Sequence, residues 1–160
     1  MDQARYTVTE FPDVETALRN EEITVPPDID TTRAAVWILP TRRWDSLLFE
    51  ERSVEAMKVA AELGVQTSML TSDPKPKFVI QKSADVVFPA LLVFLQGAQQ
   101  VPWAMFANYL STLAGLQPRG TRVRSKLYLR DETSVFMFEY EGPASELVST
   151  LREARKTRDA

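Results

Sequence analysis

The residues best suited to chemistry are Thr41-Arg42-Arg43-Trp44-Asp45. They follow an apolar run and precede a segment with helical periodicity. Open parallel sheets bind ligands at that place, beyond the carboxyl ends of their strands. Two guanidinium groups there would hold an anion, and a helix N-terminus would add its own partial positive charge. With Asp30 from the preceding loop, Arg42, Arg43 and Asp45 form a candidate ligand-binding or hydrolytic set. The stretch has no glycine-rich turn, so a phosphate-cradling loop is excluded. Trp44 also suits an apolar staple against the following helix.

Other groups invite chemistry and fit blander roles. Asp28-Ile29-Asp30 offers hard oxygen ligands for a divalent cation, but in a proline-rich loop two aspartates serve turns and caps. Glu51 and Glu55 sit at one-turn helical spacing, as acid–base pairs require; Glu50 adjoins them, and Arg52 and Lys58 among them describe a solvated helix face. Arg119, Arg122, Arg124, Lys126 and Arg130, interleaved with Tyr128, make a basic stripe of the kind that tracks nucleic acid. Glu139 and Glu141 can neutralise that stripe, and the isoelectric point near 5.1 disfavours a nucleic-acid partner.

The chain contains no histidine and no cysteine. The commonest general base, thiolate nucleophiles, disulfides and Cys/His zinc sites are therefore all missing. No catalytic residue, cofactor or metal site can be assigned. A net charge of −3 over 160 residues, with 44% apolar and 26% charged residues, describes one ordinary globular domain over residues 1–160. The first ten residues lack an apolar run, and the expected location is the cytoplasm.

Periodicity predicts the elements that would position these groups. Tyr6 to Thr9 alternates as a strand, and Pro12 to Glu22 suits a short helix. Ala34 to Leu39 is a continuous apolar run closed by Pro40, which fits the most buried strand. A helix is expected from Asp45 to a Gly64 C-cap, then a parallel strand over Val65 to Thr71. Phe78-Val79-Ile80 suits one more short strand. Thr121 to Leu129 and Ser134 to Glu141 form a hairpin. An Asp131-Glu132 turn would place Leu127 opposite Phe136, and Arg124 and Arg122 opposite Glu139 and Glu141. Ala144 to Lys156 closes the chain as a helix. The expected fold is α/β: a small, mostly parallel sheet with flanking helices, a buried helical hairpin, and a C-terminal β-hairpin plus helix.

The helical hairpin is expected because Val86 to Pro118 holds no Asp, Glu, Lys or Arg. At average charge content a given stretch of that length would arise with a probability of roughly 10⁻⁴. Val86 to Gln96 is apolar nearly all round, with Asp85 as its cap. Pro102 to Ala114 carries a Trp103–Phe106–Leu110–Leu113 stripe at helical spacing. Core burial, a partner interface made by Trp103, Phe106, Tyr109, Leu110 and Leu113, and membrane insertion are the three uses of such a segment. Each half falls short of a bilayer span, and Gln96, Gln99, Gln100 and Asn108 oppose insertion.

Lys82-Ser83-Ala84-Asp85, Ala107-Asn108-Tyr109-Leu110 and Tyr140-Glu141-Gly142-Pro143 together resemble a group of small uncharacterised bacterial proteins. In that group an apolar helical segment precedes a β-hairpin and a "YEG" turn into the last helix. The resemblance covers the C-terminal half; it implies a bacterial origin and a possible defence association, and carries no catalytic residue. The expected function is a non-enzymatic accessory subunit of a bacterial complex that acts by homo-oligomer formation or by binding a protein partner through the uncharged helical segment. A ligand-binding or hydrolytic domain with its site after Ala34–Leu39 is the first alternative, and a membrane-perturbing effector using residues 86–118 is the second.

Overall fold

A computed structural model describes residues 4–43, 45–80, 85–95, 101–131 and 134–159. These described residues build a seven-stranded mixed sheet, a separate three-stranded sheet and four α-helices. The large sheet has the order β1 (Arg5–Phe11), β10 (Ser134–Pro143), β9 (Arg122–Asp131), β8 (Leu91–Leu95), β2 (Val36–Ile38) and β5 (Thr67–Met69), with β7 (Val86–Val87) also on β9.

The apolar run closed by Pro40 becomes β2, and every residue from Ala34 to Leu39 is buried. As expected, β5 lies parallel beside it, Val36 facing Thr67. Helix α2 (Ser53–Leu63) joins them and ends at Gly64, whose φ of 74° is the left-handed cap that glycine adopts without strain. The sheet as a whole is mixed, not mostly parallel. β8 is antiparallel to β2 but parallel to β9, and β1, β10 and β9 form an antiparallel meander by position.

Two helical expectations are overturned. Residues after Pro40 form a hairpin, β3 (Thr41–Arg43) and β4 (Ser46–Glu50), extended by β6 (Phe78–Val79) into the small sheet. The helix therefore starts at Ser53 rather than Asp45, and Leu47 and Leu48 belong to a strand. Likewise the segment from Val86 contains β7 and β8 instead of the first arm of a helical hairpin. Pro89, which cannot donate to a ladder, separates the two strands along the same edge of β9. All five residues of β8 are buried because both of its faces are covered. Asp85 caps no helix; it lies against Arg122 and Arg124.

Helix α3 (Trp103–Gly115) forms as the stripe predicts. It packs with α2 and α4 (Leu147–Asp159) on one face of the sheet, over Val93, Leu127, Phe136 and Phe138. The opposite face holds a second core of Trp37, Leu92, Tyr128, Val135 and Met137, closed by Ala17 and Leu18 of α1 (Val14–Arg19). Asp13 starts α1, its carboxylate accepting from the Thr16 N–H at 2.7 Å.

The C-terminal hairpin is present with a register two residues from the expected one. Leu127 faces Phe138 and Phe136 faces Leu129, while Arg124 faces Glu141 and Lys126 faces Glu139. A two-residue shift preserves which side chains share a face, so apolar and charge matching cannot distinguish the two alignments. Glu132 of the expected turn lies outside the described residues, as do Trp44, Lys82 to Ala84, and Gln96, Gln99 and Gln100. Tyr140 to Pro143 is the end of β10 rather than a turn.

Candidate functional site

Alternation along the meander sends two rows of polar side chains to the face that also carries Tyr128 and Met137. One row runs Arg5–Glu141–Arg124, the other Thr7–Glu139–Lys126. They form the floor of a cleft of about 570 Å³, walled by Glu21 after α1, by Thr41 and Glu50 of the small sheet, and by Val87, Phe88 and Ala90. Glu50 is buried, and the Thr41 hydroxyl lies 3.4 Å from its Oε1.

Two cations of β9, Lys126 and Arg124, pair with residues other than the glutamates opposite them. Lys126 Nζ meets Glu21 Oε2 at 2.9 Å, and Arg124 Nε meets Asp85 Oδ2 at 3.4 Å. Glu21 is held a second time by the Tyr128 hydroxyl, which donates at 2.6 Å and accepts from Asn20 Nδ2 at 3.0 Å. Charge-assisted bonds of this length are the strong ones. They fix the wall of the cleft to its floor.

Burial pushes the Tyr128 phenol well above its ordinary value of 10, and the bond it donates to Glu21 adds to that shift. Burial alone does the same to Tyr109, whose hydroxyl donates to the Ala56 carbonyl at 2.9 Å. Tyr140, which donates to the Pro143 carbonyl at 2.6 Å, is pushed up to about 12, again chiefly by burial. A raised folded-state pKa contributes stability that is complete below the unfolded value and is lost as pH rises through the folded value. Stability should therefore be unaffected by these phenols up to pH 10 and should fall progressively from pH 10 through 12 and beyond. Urea midpoints measured across that range, with phenolate absorbance followed in parallel, check this; a midpoint that is flat through pH 12 would refute it.

The residues expected to bind ligand fall on a hairpin and a loop. Arg42 and Arg43 lie on β3, and Asp45 precedes β4. Arg42 is engaged with Glu22, its Nε donating to the backbone carbonyl at 3.2 Å. Asp30 lies in the loop before a short 3-10 turn, where its carbonyl accepts from the Arg33 N–H. None of the four lines the cleft above, nor a second one of about 590 Å³ lined by Asp28, Arg33, Trp37 and residues of β5. An anion site of the expected kind requires a helix directly after Arg43, and a hairpin stands there instead. Glu51 and Glu55 are likewise separated: Glu51 precedes α2, while Glu55 pairs with Arg52 and accepts from Gln117.

Comparison with known proteins gave nothing further. No protein-family model, curated protein or solved structure matches the chain.

The five expected interface residues face inward. Phe106, Tyr109, Leu110 and Leu113 are buried in the core of their own chain, and Trp103 is half-buried with the Arg155 guanidinium over its ring at 4.1 Å. The cleft residues Arg5, Glu21, Glu50 and Glu139 come from elements far apart in sequence, so no local motif marks them. The one signal available was the strict alternation of β9 and β10, which places their charges on a common face.

Proposed function

We propose that the chain is a non-enzymatic association module, an accessory subunit that pairs with a second copy of itself through the outer edge of β1. The observation that carries this reading is that every residue from Arg5 to Glu10 is exposed on a strand bonded on one side only among the described residues. Natural edge strands are blunted with charged side chains, proline, bulges or shortness. β1 carries charge only towards its ends, at Arg5 and Glu10; its centre, Tyr6 to Thr9, has no charge, proline or bulge, and seven residues pair with β10 in unbroken register from Arg5–Glu141 to Phe11–Val135. The opposite edge, β5, is only three residues long.

A second copy fits this edge by self-complementarity. About a two-fold axis at Thr7, an antiparallel partner sets Tyr6 opposite Val8 of the second copy, and Val8 opposite its Tyr6. Both side chains lie on one face and are 44% and 39% exposed, so pairing would merge four apolar groups into one cluster. Each aromatic–β-branched cross-strand pair contributes roughly 0.2–1 kcal/mol beyond the backbone bonds. Helix α3 is unavailable for this role because its apolar stripe is core. Among the described residues no helix is long and apolar enough to cross a membrane, which gives the membrane-effector alternative no helical support.

Light scattering with sedimentation equilibrium tests the reading. The natural chain should show a concentration-dependent dimer. Tyr6→Lys with Val8→Lys should weaken it at least tenfold while leaving the circular dichroism spectrum intact, and Phe78→Lys on the small sheet should leave it unchanged. A monomer at every concentration up to about 100 μM, or a dimer indifferent to the two β1 lysines, would exclude pairing through this edge.

A further inference from the structure

We infer that the cleft over β1, β10 and β9 binds a small zwitterion of the α-amino acid type, with its ammonium group on Glu139 and its carboxylate on Arg5. The inference rests on which charges the fold neutralises and which it leaves. On the cleft floor Lys126 is taken by Glu21, Arg124 by Asp85, and Glu141 is approached by Arg122 at 3.9 Å. Arg5 and Glu139 make no ion pair or side-chain hydrogen bond among the described residues.

These two residues are cross-strand diagonal neighbours, since Arg5 faces Glu141 and Thr7 faces Glu139. Diagonal positions on an antiparallel pair lie about 7–8 Å apart. Their side chains do not close that separation on each other. What remains is a positive and a negative group side by side in a concave site, a pattern complementary to a ligand carrying the reverse polarity at short range. The volume of about 570 Å³ falls within the span of small-molecule sites. Val87 and Ala90, both half-buried, give the same cleft an apolar margin for the rest of the ligand.

The charge balance selects against simpler ligands. A lone anion would meet the carboxylates of Glu21, Glu139 and Glu141 as well as Arg5. A lone cation would leave Arg5 unmatched beside it. Because Arg5 and Glu139 are exposed, each contact is screened by water, and affinity in the millimolar range is expected. Edge pairing of β1 uses in-plane backbone groups and leaves this face open, so the cleft reading stands or falls independently of the dimer.

Calorimetric titration of the full chain with L-alanine, and with ethylamine and propionate as its two halves, provides the test, with amide shifts of Thr7, Lys126 and Glu139 followed by NMR. L-Alanine should bind with a Kd of about 1 mM and shift those amides. Each half should bind at least tenfold more weakly, as should L-alanine to Arg5→Gln and to Glu139→Gln. Both variants alter exposed, unpaired side chains and should keep the natural melting temperature. No binding at about 10 mM L-alanine, a half-ligand that binds as well as the whole, or binding unchanged in both variants would overturn the inference.

Discussion

Phe106→Asp should abolish the folded state, giving protein without a cooperative melt. Phe106 is fully buried in α3, its ring flanked by Trp103 at 6.3 Å and Tyr109 at 6.2 Å, in the core that α3 shares with the sheet. Truncating a buried phenylalanine costs about 3–5 kcal/mol. Placing an unpaired carboxylate in the same space adds several kcal/mol of desolvation. Together these rival the whole stability of a typical domain, about 5–15 kcal/mol. Phe106→Leu, which keeps the apolar volume approximately, should fold and lose about 1–2 kcal/mol. The pair of variants separates a packing site from a docking site. An interface residue would tolerate aspartate and lose only its partner. A Phe106→Asp protein that melts cooperatively near the natural temperature would show that α3 does not pack as described.

Gly142→Val should destabilise the sheet by about 1–3 kcal/mol and loosen β1 selectively. A side chain at position 142 would put its Cβ 2.8 Å from the Ala4 Cα and 2.9 Å from the Tyr140 hydroxyl. The first of these neighbours is backbone and cannot swing aside. The second already donates to the Pro143 carbonyl. Relief must come from moving the start of β1 away from β10. Hydrogen exchange should therefore quicken in Arg5 to Val8 before it does in β8 or β9, and any dimer formed through β1 should weaken in step. Gly142→Ala should show the same pattern at smaller amplitude. Unchanged exchange in β1 together with an unchanged melting temperature would mean that the close approach of Ala4 is not required. The glycine in the "YEG" element is thus explained by the proximity of another strand rather than by a turn.

Much of the fold was legible where sequence carries a period or a stop. Pro40 and Gly64 bracketed β2 and α2 correctly at their far ends, and the spacing of Trp103, Phe106, Leu110 and Leu113 foretold α3. The failures share a physical cause. In Val86 to Leu95 every residue is apolar except for the break at Pro89, and a strand covered on both faces leaves no period to distinguish it from a buried helix. At Ser46 to Glu50 the sequence Ser-Leu-Leu-Phe-Glu was absorbed into a neighbouring helical pattern, although it pairs on both sides with short strands. The hairpin register was underdetermined because only odd shifts change faces. The candidate cleft was less legible still. Alternation alone places Arg122, Arg124, Glu139 and Glu141 on one face, but Glu21, Glu50 and Arg5 reach that face only through tertiary packing.

The pairing of β1 with β10 also governs the order in which the molecule can be made. Arg5 has as its partner Glu141, near the other end of the chain. β1 must therefore wait until β10 has been made. At ordinary translation speeds that delay is on the order of ten seconds. During it the central strands can assemble, since β8, β9 and β2 emerge earlier, while Tyr6 and Val8 stay without their sheet. Contacts this distant in sequence are also slow to form after dilution from denaturant. Docking of β1 thus comes late in biogenesis, after β9 and β10 have been made, and nascent chains on neighbouring ribosomes would present each other with the same unsatisfied strand.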